Sequence, residues 1–117
     1  MSQITSYHAH VYFDGDSVES ARQLCETVRD RFGADMGRVH EKAVGPHPEW
    51  SCQLEFAADK FAEIVPWLAI NRAGLTVFLH PNSGDPYADH TDHAIWMGSM
   101  PDLRLDVLRA HIEAEHS

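Results

Sequence analysis

Hydrophobic and polar positions change period along this chain, and each change marks an element. Tyr7, Ala9, Val11 and Phe13 alternate with His8, His10 and Tyr12. Period two predicts a strand with one apolar face and one polar-aromatic face. Asp14, Gly15 and Asp16 turn the chain. Val18, Ala21, Leu24, Cys25, Val28 and Phe32 then recur at helical spacing, so a helix is expected from about Ser17 to Phe32. Asp16 and Glu19 read as its capping box, and Gly33 as its stop. A polar second strand, suited to a sheet edge, is expected over Asp35 to Ala43.

Prolines 46 and 48 make a tight connection around His47. Trp50, Cys52, Leu54 and Phe56 then alternate with Ser51, Gln53 and Glu55, giving a third strand. Asp59 should cap a second helix over about Lys60 to Ala73. Pro66 should kink that helix or mark its true start. Gly74 stops it, and Leu75 to Leu79 is a fourth strand. A polar loop follows, and Ala94 to Met97 can hairpin back as a short fifth strand. Ser99, Pro101 and Asp102 announce a last helix with Leu105, Leu108 and Ile112.

The order β-α-β-β-α-β with a C-terminal strand and helix is the ferredoxin-like α+β plan, and residues 1–117 read as a single domain. Two right-handed crossovers put both helices on one face of an antiparallel sheet with spatial order 4-1-3-2. The other face is left open, carrying His8, His10, Tyr12, Gln53 and Glu55. The ends of strands three and four lie beside the start of strand one. Glu55, His80 and His8 should therefore meet, with His10 about two residues further along.

Composition narrows the function. With 9 Lys and Arg against 18 Asp and Glu, the formal net charge is −9, which disfavours nucleic acid as a partner. No apolar run approaches a membrane span, and the first ten residues lack the basic start and apolar stretch of a signal peptide. Cys25 and Cys52 fall on apolar faces and read as buried free thiols, which suits a cytoplasmic location. The unusual feature is histidine, 9 in 117 residues. The stretch from His80 to His93 also holds His90, Asp85, Asp89 and Asp92, residue types that bind metals or move protons.

His8 and His10 share one strand face, a spacing that suits two ligands on one metal, or one ligand and one proton carrier. His80 is expected beside them as an exposed strand-end residue. His93 approaches His80 if the fifth strand pairs back, and Asp89 and Asp92 could orient the imidazoles. His47 lies at the far end of the sheet from His80. It joins the site only if its loop folds over the open face, or if it comes from a partner subunit. Tyr12 and Gln53 are candidate substrate contacts. Trp50, Trp67 and Trp96 are assigned to packing rather than to a ligand platform.

Three segments together resemble the DOPA 4,5-dioxygenase family: Tyr7 to Phe13, Gly45 to Pro48, and Leu79 to Asn82 through Asp89 to His93. The resemblance implies a small ferredoxin-like fold, often dimeric, and extradiol cleavage of a catechol by dioxygen. It marks His8, His10, His47, His80, His90 and His93 as site candidates. Fe(II) is the expected metal, with zinc an alternative in isolated protein. His8 or His10 with His80 would supply imidazoles, and either Glu55 or His93 would complete the ligand set. A remaining histidine among His47, His90 and His93 would take and return a catechol proton. A homodimer is expected, since Trp96, Met97, Met100 and the last helix carry more apolar surface than one core needs. A non-catalytic metal- or ligand-binding module that dimerises is the second reading. A closed four-ligand site would favour it, and a three-ligand site with an open position would favour catalysis.

Overall fold

The structure is a computed structural model and describes residues 4–109. Five strands form one antiparallel sheet: β1 (Ser6–Phe13), β2 (Asp35–His40), β3 (Trp50–Ala57), β4 (Thr76–Pro81) and β5 (Ile95–Met97). Their spatial order is β2-β3-β1-β4-β5, the expected ferredoxin-like arrangement extended by β5 on the β4 edge. Helices α1 (Val18–Phe32) and α2 (Phe61–Asn71) contribute to the core with the strands, and a short helix α3 (Pro86–Asp89) lies in the polar loop. Among the described residues no helix is long and apolar enough to cross a membrane.

Strand parity decides the core. Ala9, Val11, Cys52, Leu54, Val77 and Leu79 are fully buried, packed with Ala21, Cys25 and Val28 of α1 and Ile64 and Leu68 of α2. Both cysteines are buried and free. Trp50 and Trp67 pack against this core. Trp96 does not join it: its indole stacks on Phe78 at 4.4 Å between ring centroids, over the opposite sheet face. Met97 also packs on the core, so of the apolar patch expected at this end Met100 is the residue left largely exposed.

Several local expectations are corrected. The α1 start is not a capping box. Asp14 Oδ1 instead accepts from the Asp16 amide at 3.0 Å and the Ser17 hydroxyl at 2.9 Å, while Glu19 pairs with Arg22. Gly33 ends α1 in the left-handed region, φ 75°, as expected. β2 stops at His40, short of the expected Ala43, and its register with β3 shifts between Met36 and Val39. Asp59 caps nothing: a 3₁₀ turn, Ala58–Lys60, leads into α2 without a side-chain cap. Pro66 sits inside α2, which begins at Phe61 and continues past the proline to Asn71. β4 runs on through His80 and Pro81. Residues 105–109 are helical; Ile112 lies outside the described residues.

Candidate metal centre and active-site cleft

Register places the first histidines. His8 pairs with Glu55 of β3 on one side and with His80 of β4 on the other. His10 is two residues along, opposite Gln53 and Phe78. All these side chains leave the sheet on the face away from α1 and α2. One ring nitrogen from each of His8, His10 and His80 falls within 4.8 Å of the others. The His10 and His80 Nε2 atoms are 3.1 Å apart.

That separation fits two ligands of one ion. Metal–nitrogen bonds of about 2.0–2.1 Å at tetrahedral angles hold ligand nitrogens about 3.3 Å apart. The tautomer fits as well. His80 Nδ1 lies 2.9 Å from the Pro81 carbonyl, which can only accept, so Nδ1 carries the proton and Nε2 keeps its lone pair. Burial holds His80 at a pKa of about 4 and lowers that of His10 well below the usual 6.5, so neither must shed a proton near neutral pH to serve as ligand.

His80 was expected to be exposed, but it is 3% exposed. The face bearing it is roofed by two loops that no strand pattern describes. His47 comes from one of them, in the segment linking β2 and β3. Its imidazole is buried, with its centroid 4.0 Å from that of His10. Of the two placements open to His47, folding over the sheet is the one observed. The reach is short, because Ser51 at the start of β3 pairs with Tyr12, two residues from His10. The Arg104 amide donates to the Pro46 carbonyl at 2.8 Å and ties the loop down. Burial, then the field of His90, lowers the His47 pKa to about 3.

The second loop brings His90. Asp85 caps α3 by accepting from the Ala88 amide at 3.1 Å, with Pro86 in the first turn. This puts His90 at the end of α3, its ring 4.2 Å from that of His80 and 6.2 Å from that of His47. His90 Nδ1 lies 2.6 Å from the Pro86 carbonyl. His93, three residues on, points elsewhere. It reaches Asp89 at 2.9 Å with its own side chain 45% exposed, and it is absent from the cleft wall. Asp89 is buried and also accepts from the Ser83 amide and hydroxyl. Burial alone would raise its pKa, but bonds from His93 and Ser83 outweigh that and lower it. Asp92 is exposed.

Two further expectations change. Glu55 stands 3.6 Å from His8 Nε2, half exposed, and lies outside the three-histidine group. Tyr12 is 2% exposed, does not line the cleft, and has its hydroxyl 2.7 Å from His47 Nδ1. Gln53 does line it. The cleft measures about 460 Å³ and is walled by His8, His10, His47, His80 and His90 with Pro46, Pro86 and Leu108 among its apolar parts. Leu108, Asn82 and the Phe78–Trp96 stack were not singled out from sequence. Parity would have found Phe78, which shares the His80 face of β4; nothing local marks Leu108.

The family model described as the Dopa 4,5-dioxygenase family matches residues 7–107. This chain belongs to that family. A DOPA 4,5-dioxygenase of Amanita muscaria is 27% identical over 97% of this chain and 53% of its own length. An uncharacterised 21.2 kDa protein of Botryotinia fuckeliana is 32% identical over 89% of this chain and 63% of its own length. The chain thus spans between half and two thirds of these relatives. A solved structure of a candidate dioxygenase from Nostoc punctiforme superposes with a TM-score of 0.81 at 38% identity, covering 92% of this chain and 94% of that one.

Proposed function

We propose that this family member is an extradiol ring-cleaving dioxygenase of a catechol such as DOPA, with Fe(II) held by His8, His10 and His80. The observation that carries the reading is the convergence of three imidazole nitrogens within 4.8 Å at the base of a cleft that also presents two histidines outside the group. Three protein ligands leave positions for small molecules, which a closed structural site does not. Fe(II) bound there would bring catecholate and dioxygen together and pass electrons between them.

The chain's own residues account for the rest. Pro46, Pro86 and Leu108 offer apolar surface to an aromatic ring, and Gln53 and Asn82 offer polar contacts at the rim. His90 donates its Nδ1 proton to the Pro86 carbonyl, so its Nε2 is an acceptor. Burial lowers its pKa, and it is neutral at pH 7. It is placed to take a proton from the catechol as the substrate binds. DOPA as substrate follows the name of the Amanita relative.

An oxygen electrode tests this. Protein loaded anaerobically with Fe(II) and given DOPA, dopamine or catechol should consume one dioxygen per catechol and turn yellow as the semialdehyde forms. The zinc-loaded protein should consume none. Catechol bound to iron-loaded protein without oxygen uptake would sink the dioxygenase reading.

A further inference from the structure

We infer that Tyr12 is a positioning residue that holds His47 in its Nε2–H form, so that His47 offers the cleft a hydrogen-bond donor while His90 offers an acceptor. The consequence for a catecholate rests on the function proposed above; the tautomer does not.

The argument is one of hydrogen-bond satisfaction. Tyr12 is 2% exposed and its hydroxyl has a single partner among the described residues, His47 Nδ1 at 2.7 Å. A buried hydroxyl proton needs an acceptor, and leaving it unpaired forfeits its hydration with nothing in return. Among the described residues the hydroxyl has no other hydrogen-bond acceptor, so the phenol donates and Nδ1 accepts. A tyrosine hydroxyl ordinarily keeps its proton near neutral pH. A neutral imidazole whose Nδ1 accepts carries its proton on Nε2. That Nε2 has no partner among the described residues, and no fully buried side-chain nitrogen or oxygen lacks one. It therefore reaches open space, and His47 lines the cleft.

His90 is set the opposite way. Its Nδ1 faces a carbonyl, which cannot donate, so its Nε2 is the lone pair. Two imidazoles 6.2 Å apart thus differ in role by their outer partners, a phenol for one and a carbonyl for the other. A catechol losing one proton presents one hydroxyl and one oxyanion. The acceptor His90 suits the departing proton, and the donor His47 suits an oxygen that has gained charge. Tyr12 touches neither and acts through His47.

Two measurements decide it. In zinc-loaded, nitrogen-15-labelled full chain, long-range proton–nitrogen spectra should show His47 as Nε2–H, and Tyr12→Phe should shift it to a mixture. Nδ1–H in the unaltered protein overturns the inference, with no variant required. In iron-loaded protein, Tyr12→Phe should lower kcat about 10- to 100-fold with KM within about twofold. Added to His47→Ala, Tyr12→Phe should cost nothing further; a full additional loss overturns the coupling. Absence of turnover with every catechol defeats the function proposed above, and the spectra still decide the role of Tyr12.

Discussion

The two faces of the sheet are both buried at their centres, yet by different means. Leu79 and His80 are neighbours in β4 and are 0% and 3% exposed. Leu79 points to the helix-covered side, where α1 and α2 bring stripes of aliphatic side chains and no polar group needs a partner. His80 points to the side covered by loops, where His10, Tyr12, His47 and Asp89 are buried too, each with a hydrogen-bond partner. One face is closed by area and the other by a polar network around a cleft. Area tolerates imprecise partners, since attraction between apolar groups has little direction. A polar network does not, since every buried donor needs an acceptor.

That contrast can be broken at its strongest point. Leu79→Ala should destabilise the protein by about 2–5 kcal/mol in denaturant unfolding, through lost burial and a cavity. Metal bound per folded molecule should stay unchanged, because the ligands lie across the sheet. Metal loss in Leu79→Ala at a denaturant-free, fully folded condition would mean the two faces are not separable.

Acid should act first on the loop-covered face. Burial holds His10, His47 and His80 neutral in the fold, while the unfolded chain protonates near pH 6.5. The unfolded state therefore binds more protons below that pH. Stability of the metal-free protein should be full above about pH 6.5 and fall, by an amount on the order of a few kcal/mol, as pH drops toward 4. Below that, Asp89, whose pKa is lowered in the fold, adds to the loss. A pH series of urea midpoints checks the slope; a flat profile from pH 7 to 4.5 would contradict buried neutral histidines.

The smallest effect sharpens the ligand assignment. Glu55→Gln should change stability by less than about 0.5 kcal/mol, since the pair it forms with His8 is half exposed. Metal retained on gel filtration should match the unaltered protein, whereas His80→Ala should retain little. Equal losses from both replacements would return Glu55 to the ligand set.

Sequence alone determined the sheet. Alternation at Tyr7–Phe13 and at Trp50–Phe56 named the core face residue by residue, because strand parity is a property of the backbone and a one-residue slip would expose every apolar side chain. The same parity, with the ferredoxin-like order, put His8 beside both Glu55 and His80, as the register has it. Resemblance of three short segments reached the family. Tertiary structure decided what the parity could not carry. Whether His47 lay remote or over His10 depended on a loop whose path is tied by a backbone bond from Arg104, 57 positions later. His90 and His93 are three apart in one polar loop, and the single turn of α3 sent one into the cleft and the other to Asp89. Tyr12 looked like a surface ring awaiting a ligand until a loop covered it and supplied the acceptor. Periodicity reports which side of the sheet a residue leaves from; what then covers that side is set by contacts between segments far apart in the chain, and those leave no period to read.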